Sequence, residues 1–217
     1  MTSPFAGKRL RFTPLALTTV LLSAGLLSMS VTGTLSGFAA QITNSTNSAT
    51  TGSLTMQETG PGSTGSQVTC NSTDRGSVAT NTAACSTINK FGGSTTMVPG
   101  GTPVSTTVTI TNTGSVRASS FTLTPGISCE QTGNVSGSAT DLCSKMNLTI
   151  TQQGISSPVF TGTLKSFADG YPTPIEFSGL DKGGSSTFTF SVGLASSADA
   201  TYQGLTATMP MTWTFTS

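Results

Sequence analysis

Along several stretches of this chain apolar residues recur at every second position, with hydroxyl-bearing residues between them. That period marks strands with one buried face and one wet face. The clearest case is Ser185–Leu194, where Phe188, Phe190, Val192 and Leu194 share one side. Residues 205–216 follow the same rule through Leu205, Ala207, Met209, Met211, Trp213 and Phe215. Residues 106–112 set Val108 and Ile110 inward, 119–124 set Phe121 and Leu123, and 145–152 set Met146, Leu148 and Ile150. Weaker strand candidates are 52–57, around Leu54 and Met56, and 158–164, around Val159 and Phe160. Turn residues separate them: Pro99, Gly100 and Gly101, then Asn112, Thr113 and Gly114, then Asp181, Lys182, Gly183 and Gly184. Pro210 falls inside the last stretch and cannot donate a ladder hydrogen bond, which predicts an edge strand or a bulge there. Together these strands predict an all-β fold, a two-sheet antiparallel sandwich. Residues 63–94, polar and Gly-rich, predict an ordered insertion outside the sheets.

The first forty residues follow a different pattern. Lys8, Arg9 and Arg11 precede an apolar run from Leu15 to Leu27 that Thr18, Thr19, Ser23 and Gly25 interrupt, the layout of a secretory signal and too broken for a membrane span. Small residues at Gly37, Ala39 and Ala40 predict cleavage after Ala39 or Ala40. The organisation expected is therefore a removed signal over 1–40 and one β-sandwich domain over 41–217, exported and free of the membrane after processing. Its four cysteines, Cys70, Cys85, Cys129 and Cys143, suit an oxidising exterior as two disulfides. Three pairings are possible, and Cys70–Cys85 with Cys129–Cys143 is the simplest.

Composition narrows the chemistry. Only 8% of the 217 residues are charged and the formal net charge is +1, so there is no electrostatic footprint for nucleic acid. Histidine is absent, which removes His-containing zinc sites, Ser-His-Asp triads and Cys-His dyads. Without C-x-x-C pairs the cysteines do not suggest a metal site, and no cofactor is expected. Asp74, Glu130, Asp141, Asp169, Glu176, Asp181 and Asp199 fall in predicted loops, where carboxylates ordinarily serve solubility.

Several short segments carry a resemblance. Gly33-Thr34-Leu35-Ser36-Gly37-Phe38-Ala39-Ala40-Gln41, followed after a polar stretch by Gly52-Ser53-Leu54-Thr55-Met56, is similar to the start of the TasA and camelysin (CalY) family. Val98-Pro99-Gly100, Asn112-Thr113-Gly114-Ser115 and Tyr202-Gln203-Gly204 before a final alternating strand resemble later parts of that family. Leu35 replaces the usual aromatic residue, Thr55 replaces the usual Asp, and the cysteines depart from the cysteine-free members. The resemblance implies a jelly-roll sandwich, export with a SipW-type signal peptidase, and assembly into extracellular biofilm-matrix fibres. In such fibres the N-terminal segment of one mature subunit enters the next as a strand. Some family members were described as metalloproteases, an activity that a chain without histidine does not readily inherit.

The residues independently allow that assembly. Residues 40–48 are polar and free of proline, and as a strand they would place Ala40, Ile42 and Asn44 on one face. The expectation is a non-catalytic structural subunit whose partner is itself, with 41–51 as the exchanged donor strand. A monomeric adhesin or other surface-binding sandwich, and less readily a secreted protease-like or carbohydrate-active enzyme, are the alternatives.

Overall fold

A computed structural model describes residues 48–74, 81–93, 95–133 and 136–217. The chain divides after Thr50, and the architecture below is that of Thr51–Ser217. Ala40, Ile42 and Asn44 lie outside the described residues, as does the predicted signal segment.

Among the described residues eleven strands carry the fold: β1 (Met56–Pro61), β2 (Gln67–Asn71), β3 (Val104–Asn112), β4 (Ser120–Pro125), β5 (Glu130–Thr132), β6 (Met146–Gln152), β7 (Phe160–Thr163), β8 (Ile175–Ser178), β9 (Ser185–Leu194), β10 (Thr206–Thr208) and β11 (Met211–Thr216). Two short α-helices among the described residues, α1 (Leu142–Lys145) and α2 (Leu164–Ala168), lie at strand ends. Six strands form one antiparallel sheet in the order β2-β1-β3-β9-β6-β7; opposite it lie a three-stranded sheet, β11-β4-β8, and the short pair β10-β5. The protein is an all-β antiparallel sandwich.

Register explains the core. Val108 faces Phe188 across β3 and β9, and Ile150 faces Phe190 across β6 and β9, so one inner surface gathers these side chains with Ile110, Leu148 and Val192, all fully buried. From the other sheet Phe121 and Leu123 of β4 meet them, equally sealed. The ring of Phe188 sits 5.7 Å from Phe121, 4.8 Å from Phe177 and 4.8 Å from Trp213, the spacing of tilted and edge-on aromatic contacts. The outer face of the large sheet instead carries hydroxyls in register, Thr107 beside Thr189 at 3.2 Å and Thr109 beside Thr187 at 3.1 Å.

The strand at Ser185–Leu194 matches its sequence pattern end to end, but other elements differ from expectation. The candidate at 52–57 begins its ladder only at Met56, because its partner β3 ends at Asn112 and turns away. Asn112 is fully buried and holds that turn, its amide donating to the carbonyls of Val116 and Leu180 and its oxygen accepting from the N–H of Gly114. Residues 63–94 are not wholly outside the sheets, since Gln67–Asn71 pairs with β1 as the edge strand β2. Only Val68 and Cys70 of that strand point inward, too few for alternation to stand out. The stretch 205–216 is two strands, and the break falls at Met209 and Pro210, where proline offers no N–H. Glu130 and Glu176 stand in β5 and β8 rather than in loops. Thr163 caps α2 through a capping box with Ser166, which turns the chain sharply out of β7.

Both sequential disulfides are present, Cys70–Cys85 and Cys129–Cys143, with Cα atoms 6.2 and 6.1 Å apart. They fit an oxidising environment. Among the described residues no helix is long and apolar enough to cross a membrane.

Candidate functional site

The two layers are unequal in width. The smaller sheet ends at β11, whereas the large sheet continues past the opposing strand through β1 and β2. The inner face of β1 presents Met56, Glu58 and Gly60. Over it runs the segment 81–93, held at three places. Cys85 is bonded to Cys70 on β2. The amide of Asn81 donates to the Leu54 carbonyl, while its oxygen accepts from the Ser72 hydroxyl at 2.5 Å. Ile88 lies directly on Gly60, where a Cβ would stand 2.9 Å from Ile88 and 2.8 Å from Val108, so only glycine lets the segment come this close.

A fourth hold is ionic. Lys90 Nζ lies 2.7 Å from Glu58 Oε1, with the two side chains only 11% and 12% exposed. The same carboxylate oxygen accepts from Trp213 Nε1 at 3.1 Å. One inward carboxylate therefore ties the large sheet, the covering segment and β11 together. It is neutralised and hydrogen-bonded, the condition under which a buried charge is tolerated. Sequence reading did not single out Glu58, although continuing the alternation of Leu54 and Met56 by one step places it on their face.

Between the covering segment and β11 lies a cleft of ≈ 1520 Å³. One wall comes from residues between 81 and 99; Met56 and Glu58 of β1 line it too, and Leu194 and Met146 line it at the ends of β9 and β6. The other wall is every consecutive residue from 202 to 215. A cleft that touches a strand through its side-chain face meets alternate residues; one that meets all of them runs along the backbone edge. Strand pairing agrees. β11 pairs with β4 from Thr216↔Ser120 to Met211↔Pro125, and β10 with β5 from Thr208↔Glu130 to Thr206↔Thr132. The two pairings belong to separate sheets and follow one another along this wall, separated by residues 126–129 on one side and by Met209 and Pro210 on the other. Among the described strands nothing pairs with the opposite edge of β10 or β11.

Burial shows the same opening. On β4 the inward Phe121 and Leu123 are fully buried, whereas on neighbouring β11 the inward Met211, Trp213 and Phe215 are each half-buried. An apolar row facing the core is left partly uncovered along its free edge.

Charge in the cleft is sparse. Glu58 and Lys90 neutralise each other, and Asp199 lies at the far end, where the hydroxyl and N–H of Thr201 both donate to it and hold its carboxyl below the ordinary range. Tyr202, also at that end, donates to Asp141 Oδ1 at 2.6 Å; that bond to a carboxylate pushes the phenol up to about 12. The remaining loop acids serve local structure: Asp74 accepts from the Asn71 N–H, Asp169 pairs with Lys165 and Asp181 with Arg117. Among the described residues one trio of potential metal ligands lies close together, Cys70, Cys85 and Asp74, and both of its sulfurs are spent in the disulfide.

No family model matches the sequence and no curated protein aligns with it.

Proposed function

We propose that this protein is a secreted structural subunit that polymerises head to tail by donor-strand complementation, residues 41–51 of one copy occupying the cleft of the next. The observation that carries this reading is the strand edge of β10 (Thr206–Thr208) and β11 (Met211–Thr216) that lines one wall, interrupted at Met209 and Pro210 and without a partner among the described strands. An added strand satisfies such an edge with main-chain hydrogen bonds, while alternate side chains cover the half-buried row of Met211, Trp213 and Phe215. The size of the cleft supports an extended polymer over a small molecule, for which pockets of about 300–1,000 Å³ are usual. Its chemistry suits the donor as well. Residues 41–51 carry no charge. The resemblance to TasA and camelysin supports reading them as fibres of the extracellular biofilm matrix, formed after removal of the signal by a SipW-type peptidase.

A competing peptide tests the reading. Seeded growth of the mature protein is followed by light scattering with an excess of free peptide of sequence 41–51, or of a scrambled peptide of equal composition. The native peptide is expected to cap growing ends and stop elongation while the scrambled one does not. Elongation untouched by the native peptide would contradict the proposal.

A further inference from the structure

The sealed core of this protein is built without methionine. Its largest fully buried side chains are phenylalanine, leucine, isoleucine and valine, with Asn112 at its turn. Of the seven methionines, Met1 and Met29 belong to the predicted signal, and the other five, Met56, Met97, Met146, Met209 and Met211, all line the cleft. They come from separate places: the first residues of β1, β6 and β11, the segment before β3, and the break between β10 and β11. The fold, not local sequence, gathers them. Met56, Met97, Met146 and Met211 are partly buried and pack against the core cluster, while Met209 belongs to that cluster and is only 8% exposed.

Sulfur chemistry gives this placement a consequence. All four cysteines are spent in disulfides, so these five thioethers are the reduced sulfur of the domain. We infer that the cleft is a modification site for hydrogen peroxide, and that its oxidation switches the cleft off as an apolar seat. The thioether sulfur attacks one peroxide oxygen. An S–O bond forms as the O–O bond breaks, and the proton on the transferred oxygen passes to the departing hydroxide, which leaves as water. Sulfur loses two electrons and the peroxide gains them. Each such step turns a flexible apolar side chain into a polar one.

An apolar residue pressed against a sulfoxide leaves the new oxygen without hydrogen bonds, a cost that the unoxidised wall does not carry. Exposure sets the order of events. The four partly buried methionines react first and change the wall; Met209 reacts last and loosens the join between β10 and β11. Loss of strand binding rests on the donor-strand reading above, whereas the oxidation and the change in the wall do not.

The cleft carries its own reporter, because Trp213 is the single tryptophan of the chain and lines the same space. The mature monomer is treated with graded hydrogen peroxide, the peroxide is removed with catalase, and three quantities are followed: sulfoxides by peptide mapping, Trp213 emission, and seeded elongation. Met56, Met97, Met146 and Met211 are expected to gain one oxygen on the order of tenfold faster than Met209, with Trp213 itself unmodified. Emission should shift to the red in step with those four sulfoxides, and elongation should fall on the order of tenfold. The variant Met56→Leu/Met97→Leu/Met146→Leu/Met211→Leu keeps the wall apolar at similar volume. Compared with its own untreated state, it should show neither the shift nor the fall. Met209 oxidised as fast as the other four would overturn the ordering by cleft exposure. Four sulfoxides formed with emission and elongation unchanged would overturn the switch. A variant as sensitive to peroxide as wild type would overturn the assignment to these residues, and should the variant not fold, the wild-type mapping and emission decide. Untreated protein that never elongates would contradict the donor-strand reading instead, while mapping and emission still decide whether peroxide remodels the cleft.

Discussion

Two segments of this chain alternate with equal regularity, and the sandwich treats them differently. In β9 the inward Phe188, Phe190 and Val192 are wholly sealed, with β3 on one side and β6 on the other. In β10 and β11 the inward row ends half-buried beside a cleft, with a partner on one side and none among the described strands on the other. The same pattern thus marks a finished strand in one case and an unfinished one in the other. Alternation reports which face turns inward; it carries no information about how many neighbours complete the sheet. That second property decides whether a strand belongs to the core or to an interface.

Truncation gives the largest contrast. Phe188→Ala should cost about 3–5 kcal/mol of stability, because a full aromatic side chain leaves a sealed site. Trp213→Ala should cost the isolated subunit less, since its side chain is only partly buried, yet slow fibre growth far more than an unrelated variant of equal stability. Urea midpoints and elongation rates measured together test this ordering. A loss for Trp213→Ala as large as that for Phe188→Ala would mean that β11 is as enclosed as β9.

The clip across the cleft comes next. Glu58→Gln removes the carboxylate that Lys90 and Trp213 share and leaves a mostly buried ammonium unpaired, which should cost about 3 kcal/mol. Adding Lys90→Met in the same chain should recover most of that loss, because the orphaned charge goes with it. A double variant no more stable than Glu58→Gln alone would show that the ion pair is not what makes the single change costly.

The smallest effect is one of pH at the far end of the cleft, beside Asp199 and Tyr202. The folded state holds the Tyr202 proton through its bond to Asp141, lifting the phenol from 10.0 to about 12. A raised pKa means that the folded state binds this proton more tightly, so the stabilisation is fully present below pH 10 and disappears as pH rises through about 12. Wild type should therefore exceed Tyr202→Phe in thermal midpoint by a constant margin at neutral pH, and the two should converge above pH 10. A margin unchanged up to pH 12 would remove the bond from the account.

Strong alternation made much of this architecture legible in advance. The whole of β9 and the inward rows of β3, β4 and β6 follow from residues such as Val108, Phe121, Leu148 and Phe188. Their burial is large enough to override everything local. What escaped was short or distant. β2 and β8 turn only two apolar residues inward each, Val68 with Cys70 and Ile175 with Phe177, and two points do not make a period. The helix α2 has Leu164, Phe167 and Ala168 at helical spacing, but it is only five residues long. The cleft was least visible of all. Glu58, Lys90 and Trp213 are brought together by the sheets from far apart in the chain, and no local signal joins them. The disulfide pairs, by contrast, follow the simplest choice that their spacing offers, because each closes a loop beside a strand already in place.

The central claim is that 41–51 completes a neighbour rather than its own sandwich, and Ile42 tests it most directly. Burying Ile42 should contribute on the order of 1.5–3 kcal/mol at each junction, and an aspartate there adds the cost of taking a charge out of water. The measurement compares mature wild type with Ile42→Asp, following fibre formation by negative-stain microscopy and the thermal midpoint of the monomer by circular dichroism. The account predicts that fibres vanish or form far more slowly while the midpoint stays close to wild type. Normal fibres from Ile42→Asp would show that this segment is not the donor, and a collapsed midpoint would show that it is a strand of its own subunit.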